Sequence, residues 1–259
     1  MIKPILEIQG LTVEFPGVTA VDDLHLSIEE GSFASIVGES GSGKSVTALS
    51  ICRLIPPSRS TGKILWHGSG PSIDLLNMPE KSLRQVRGGQ IAYVFQDPSS
   101  SFNPVLKIGD QIAETYLAHF DGTARDAKAV ASRQLETVRI KDVERVYDSF
   151  PHELSGGMKQ RAMIAMALVG QPKLLIADEP TTALDVTIEF EILQLLASLQ
   201  KEKGLTLLFI THNLRLAAKY SSVIHVMKKG KLVDGKDPYT KKLFSAALDG
   251  QTPKTLIKV

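Results

Sequence analysis

The segment Gly38-Glu39-Ser40-Gly41-Ser42-Gly43-Lys44-Ser45 follows the pattern G-x-x-x-x-G-K-[ST]. These residue types suit one task, the holding of a polyphosphate. Glycines let a chain curl tightly and turn several backbone N–H groups toward one anion. A helix starting at the end of the loop adds its positive dipole end. Lys44 supplies a mobile positive charge for the β- and γ-phosphates, and Ser45 offers a hydroxyl ligand to Mg2+. A flexible Gly/Ser linker has no use for Lys-Ser at the end of its glycines. Residue usage yields the full pattern by chance in roughly one chain in a hundred of this length.

A second group of candidates lies downstream. The run Leu174-Leu175-Ile176-Ala177 ends in Asp178-Glu179. Mg2+ prefers oxygen ligands and keeps several waters, and Asp178 at the end of a strand suits holding one of them. Glu179 is placed to polarise an attacking water or accept its proton. Pro180 then stops the strand. Gly38, Gln96, Asp178 and His212 each follow a short apolar run. In open α/β sheets ligands bind beyond the carboxyl ends of the strands. If these runs are parallel neighbours, four polar groups converge on one edge.

The elements that must position these groups are legible as such runs. Phe33–Val37, Ile91–Phe95, Leu174–Ala177, Thr206–Ile210 and Val223–Met227 are apolar without alternation, which predicts strands buried on both faces. Helical patterns over 44–54, 187–202 and 213–220 lie between several of them, so an α/β core is expected. Leu6-Glu7-Ile8 and Leu24–Ile28 alternate, and with Lys63–Trp66 they predict an antiparallel sheet against that core. Residues 106–170 show no strand. They read as helices over 108–119, 124–138 and 156–169, an inserted helical lobe. The tail from Lys228 holds eight lysines against three aspartates and is expected to be a solvated face or a frayed end.

Composition narrows the function. The chain has 259 residues, 43% of them hydrophobic and 22% charged, enough for a sizeable core and unlike a disordered chain. Thirty basic residues against 28 acidic ones leave a net charge of +2, no footprint of a general nucleic-acid binder. The single cysteine, Cys52, builds neither an internal disulfide nor a metal cluster alone and fits a reducing compartment. No stretch approaches the ~18–20 apolar residues of a membrane span, and the first residues do not read as a signal peptide. A cytosolic chain is expected, reaching any membrane through a partner.

Leu154-Ser155-Gly156-Gly157-Met158, followed by Lys159-Gln160-Arg161 and placed before the acidic strand end, resembles the signature of ABC transporter ATP-binding subunits. The resemblance runs from Leu6 to Leu243, and other P-loop ATPases do not carry this signature. It implies a P-loop cassette with a mostly parallel RecA-like core sheet, an N-terminal antiparallel β subdomain and an inserted helical subdomain. The expected division is one domain over 1–259. Its core covers 1–96 and 171–235, its helical subdomain 97–170, and its short tail 236–259. By the same resemblance Gln96 touches the metal and senses the permease. His212 contacts the γ-phosphate, and Ala183-Leu184-Asp185 is the loop at a dimer interface. Phe15 stands where the family stacks an aromatic on adenine, although an aromatic in a strand also serves as core.

Further segments resemble one branch of the family, the ATPases of peptide and nickel importers. They are Phe95-Gln96-Asp97-Pro98 with Phe102-Asn103-Pro104, Pro151-His152-Glu153 before the signature, Met158 within it, and Ile176 through Thr187. Asn213 departs from the family's usual aspartate. Many relatives of this branch continue into a longer tail with a cysteine cluster, which a chain with Cys52 alone is not expected to form. The implied activity is ATP hydrolysis with Mg2+ that powers import of peptides, nickel or a related small solute. Two chains face head to tail, so that Ser155, Gly156 and Gly157 of each cap the ATP of the other. A heterodimer with a second, similar ATPase is preferred and a homodimer is allowed. The other implied partners are two integral membrane permease subunits and, indirectly, an extracytoplasmic solute-binding protein, with no nucleic acid. The place implied is the cytoplasmic face of the inner or plasma membrane, as a peripheral subunit. The alternative is a soluble ABC ATPase of DNA repair or translation, a class that usually adds a second cassette, a coiled-coil insert or a basic arm.

Overall fold

The computed structural model describes residues 4–56, 59–68, 70–182, 184–248 and 256–257. In chain order the elements are β1 (Pro4–Phe15), β2 (Val18–Glu29), β3 (Phe33–Val37), α1 (Lys44–Ile51), β4 (Ser60–Trp66), β5 (Ile73–Asp74), α2 (Glu80–Val86), β6 (Ile91–Val94), α3 (Pro98–Ser101), α4 (Ile108–His119) and α5 (Ala124–Thr137). There follow α6 (Val143–Asp148), a 3-10 turn (Pro151–Glu153), α7 (Gly156–Leu168), β7 (Leu174–Asp178), α8 (Val186–Lys203), β8 (Thr206–Thr211), α9 (Leu214–Tyr220), β9 (Val223–Lys228), β10 (Lys231–Val233), α10 (Pro238–Leu248) and β11 (Leu256–Ile257). They form two compact units, Met1–Leu83 with Gln200–Val259, and Arg84–Leu199.

The first unit carries the phosphate-loop sequence. β1 and β2 pair antiparallel and, with β4 and β5, make a 4-stranded sheet in the order β2-β1-β4-β5. The alternation seen in the sequence is realised in its packing: Leu6, Ile8, Leu24, Leu26 and Ile28 are buried, and Trp66 is fully so. A second set of strands runs β10-β9-β3-β8. β3 is parallel to both β8 and β9, β10 is antiparallel to β9, and β11 is parallel to β9. Every residue of β3 and β8 is buried, which is why these strands read as unbroken apolar runs.

The lysine-rich tail differs from expectation. Residues 238–248 form α10, and Phe244 packs with Val37, Leu214, Ala217, Ile224 and Val226. Apolar residues at Tyr239, Leu243 and Phe244 give α10 one buried stripe, while the lysines between them stay at the surface. Residues 249–255 and 258–259 of that tail lie outside the described residues.

The second unit pairs β6 with β7 in parallel, Val94 opposite Ala177. α7 packs on β6, α4 and α5 pack on α7, α6 packs on α4 and α5, and no strand interrupts residues 106–170, as the sequence indicates. α5 begins with a capping box in which Thr123 and Asp126 satisfy each other's backbone N–H. No helix among the described residues is long and apolar enough to cross a membrane. The predicted helices and the apolar-run strands agree with those found to within about three residues at either end, whereas β1 and β2 extend six to seven residues beyond the alternating segments Leu6–Ile8 and Leu24–Ile28.

Candidate functional site

In the first unit the loop Gly38–Gly43 leaves β3 and enters α1. Gly43 caps the helix at φ 105°, in the left-handed region. A Cβ there would also lie 2.4 Å from the Ala20 carbonyl oxygen, so the position admits only glycine. The Thr47 N–H donates to the Gly43 carbonyl at 2.9 Å and opens the helical ladder. The first N–H groups of α1 have no partner within the helix, and they give the loop its positive end.

Lys44 is 4% exposed, and its ammonium donates to the carbonyls of Gly38 and Glu39, each at 2.8 Å. The charge is thus held at the loop by neutral acceptors that an anionic phosphate oxygen would outcompete. Ser42 is 5% exposed, and its hydroxyl finds no hydrogen-bond partner among the described residues. A buried polar atom of this kind inside a glycine loop fits a phosphate ligand. Beside the loop, Ser40, Gly41 and Ser42 line a cleft with Lys228, Lys229 and Tyr239. Tyr239 at the start of α10 accepts the Glu39 N–H at 3.2 Å, and the Lys228 ammonium lies 4.9 Å from the centre of its ring. Burial pushes the Tyr239 phenol above its ordinary pKa. Nothing in the sequence marks this tyrosine as a neighbour of the loop, because the contact spans 200 positions.

His212 follows β8 and is exposed, and Gly38 follows β3. Val37 and Thr211 are register partners in the parallel pair, so Gly38 and His212 leave the same edge. Asn213 caps α9 by accepting the Leu216 N–H, a role an aspartate performs equally. Phe15 ends β1 and is 37% exposed. It is a surface aromatic here, available for stacking, and not a core residue.

In the second unit Asp178 is the last residue of β7 and is 6% exposed. The Tyr93 hydroxyl donates to its Oδ2 at 2.8 Å. Glu179 follows at φ 43°, a left-handed conformation that non-glycine residues seldom adopt. Thr182 stabilises this kink, its hydroxyl donating to Glu179 Oε2 at 2.9 Å and its N–H to the Glu179 carbonyl at 3.3 Å. Gln96, exposed, lies two residues beyond β6, so it leaves the same edge as Asp178 and Glu179. Asp97 caps α3 through the Ser99 N–H, and Gln111 ties the following Asn103 to α4 at 2.8 Å.

The signature segment is a helix start. Ser155 accepts the Met158 N–H at 3.3 Å and caps α7, and Ser155 and Gly156 are exposed. At Gly157 a Cβ would lie 2.7 Å from Ile188 Cγ2, so the second glycine lets α7 and α8 approach. Asp185 caps α8 by accepting the Ile188 N–H at 3.0 Å. Leu184 is partly buried before it, and Ala183 lies outside the described residues.

Each unit holds oxygen donors of the kind magnesium takes. Among the described residues no group of three His, Cys, Asp or Glu is placed to hold a metal. An all-protein cage is therefore absent there, and Mg2+ is typically held by one or two side-chain oxygens with waters and substrate phosphates. Ser45 and Asp178 are oxygen donors of that kind.

Comparison with known proteins agrees with this chemistry. The family model described as ABC transporter matches residues 21–182. A putative peptide import ATP-binding protein of Brucella melitensis is 47% identical over 240 residues, 90% of this chain and 71% of that protein. The probable D,D-dipeptide transport ATP-binding protein of Escherichia coli is 39% identical, over 99% of this chain and 82% of that protein. The glutathione import ATP-binding protein of Pectobacterium atrosepticum is 41% identical over 94% of this chain and 42% of its own, longer sequence. Among solved structures, a dimeric ATP-binding cassette in a post-hydrolysis state, bound to ADP and Pi, superposes with a TM-score of 0.77 at 29% identity, over 88% of this chain and 96% of that one. With the phosphate loop, the acidic strand end and the signature helix all in place, the chain belongs to the ABC transporter family, as an ATP-binding cassette that hydrolyses ATP.

Proposed function

We propose that this chain is the ATP-hydrolysing subunit of a membrane importer whose cargo is short peptides or a related small solute. The 47% identity to a peptide import ATP-binding protein, over 90% of the chain, carries this reading. The names of the three relatives above refer to import or transport of peptide, D,D-dipeptide and glutathione, all amide-linked solutes. Nickel, paired with peptides on sequence, has no counterpart among them. The chain sits at the cytoplasmic face through two integral membrane permease subunits and works with a second ATPase, a different but similar chain by preference. An extracytoplasmic solute-binding protein delivers the cargo. We read this chain as one ABC ATPase domain over 1–259 that spans both compact units, with 97–170 as the helical subdomain. The segment from Gln96 to Pro104 links the nucleotide to the permease.

Each residue then has a role. Gly38 to Gly43 and Lys44 bind the phosphates, with Glu39, Ser40, Gly41 and Ser42 as loop members. Phe15 stacks on adenine. Ser45, Gln96 and, through water, Asp178 hold Mg2+, which supplies charge neutralisation at the phosphates when bound. Glu179, directly after β7 and at a positive φ, polarises the attacking water and takes its proton. His212 steadies the γ-phosphate. Ser155, Gly156 and Gly157 cap the partner's ATP from a helix N-terminus, whose partial positive charge suits an anion. Asp185 lies at the dimer interface.

The test is Glu179→Gln in the complete membrane complex. ATP binding is expected to persist while hydrolysis falls at least ~100-fold, the scale of general base catalysis. Near-normal hydrolysis refutes the assignment of Glu179. Detergent extraction from native cells is expected to recover the chain with integral membrane subunits. Recovery free of any membrane protein, or with nucleic acid, favours the non-transport alternative.

A further inference from the structure

Tyr93 belongs to none of the motifs, yet it makes a close side-chain contact to Asp178. It lies on β6, opposite Ile176 of the parallel neighbour β7. Its side chain reaches forward along β7, and the phenol donates to Asp178 Oδ2 at 2.8 Å. Asp178 is 6% exposed, so little water competes with this donor for its carboxylate oxygen. The Tyr93 ring is itself held. It packs on Phe95, the residue just beyond β6, with centroids 4.7 Å apart. Phe95 directly precedes Gln96.

We propose that Tyr93 is a positioning residue for the metal site. Its hydroxyl pins one oxygen of Asp178 and thereby sets the plane in which the carboxylate meets the water of Mg2+. Hydrogen-bond partners that orient a metal's ligands commonly set its affinity, and this phenol stands in that relation to Asp178. The proposal rests on the reading of Asp178 as a magnesium-associated carboxylate.

The test measures ATP binding to the full chain by calorimetry, in Mg2+ and in EDTA, for wild type, Tyr93→Phe, Asp178→Asn and the double variant. Tyr93→Phe is expected to lower the gain in affinity that Mg2+ gives by about tenfold, while binding in EDTA stays within about twofold of wild type. A merely structural tyrosine would move the melting temperature and both affinities together, and that result overturns the proposal. Because Tyr93 acts through Asp178, Tyr93→Phe should add nothing in the Asp178→Asn background, and an undiminished effect there refutes it. If Asp178→Asn alone leaves the Mg2+ response intact, the underlying reading of Asp178 fails. If Asp178→Asn abolishes that response and Tyr93→Phe does not change it, only the role of Tyr93 fails.

Discussion

Replacing Lys44 by methionine removes the ammonium and keeps an unbranched stem of similar reach. Before nucleotide arrives, that ammonium already donates to two carbonyls at 2.8 Å. Binding therefore exchanges neutral acceptors for anionic phosphate oxygens and does not create contacts from nothing. Hydrogen bonds to charged groups contribute about 1.5–3 kcal/mol, and those with both partners ionised are roughly twice as strong as neutral ones. The exchange for two contacts is then worth about 2 kcal/mol, or roughly 30-fold in Kd. The variant also leaves the carbonyl of buried Gly38 short of a donor, at a cost of about 1 kcal/mol. That lowers Tm by ~2–4 °C in a chain of this size. Calorimetric titration with ATP, together with a thermal melt without nucleotide, measures both numbers. A Kd within about twofold of wild type, with the Tm loss present, would show Lys44 to be a strut of the loop and not a phosphate ligand.

Two further predictions concern packing. In Gly157→Ala the new methyl meets Ile188 Cγ2 at 2.7 Å, so a destabilisation of about 1–2 kcal/mol in urea unfolding is expected despite alanine's better helix propensity. Ile188→Leu, which lacks that branch, should relieve much of it, and additive losses in the double variant would refute the steric account. Phe244→Ala should cost about 3 kcal/mol, since the ring belongs to a buried cluster. A change within about 0.5 kcal/mol would instead restore the picture of a solvated tail.

The motifs and most elements were legible in the residues alone. Strands β3, β7 and β8 are covered on both faces, so burial writes itself into the sequence as unbroken apolar runs. The helical lobe was legible for the same kind of reason, through a period that differs from that of strands. The phosphate loop was readable because its chemistry needs consecutive residues: glycines, a lysine and a hydroxyl on one short turn. Local signals failed where a partner lies far along the chain. Lysines dominate the composition after Lys228, yet the buried stripe of α10 faces residues as distant as Val37.

What the sequence by itself marked out is the family motifs and their candidate residues, because each motif is local and constrained by the ligand it would meet. Only the tertiary structure decided how they are held. It placed the Tyr93 hydroxyl on Asp178, the Tyr239 oxygen on the N–H of Glu39, and the Ile188 methyl against Gly157. It also set Glu179 in a left-handed kink stabilised by Thr182. The first three contacts join residues far apart or on different elements, so they arise only when strands pair in register and helices pack. A sequence read along its length records the groups that a ligand selects, while the orientation of those groups depends on neighbours that folding alone brings near.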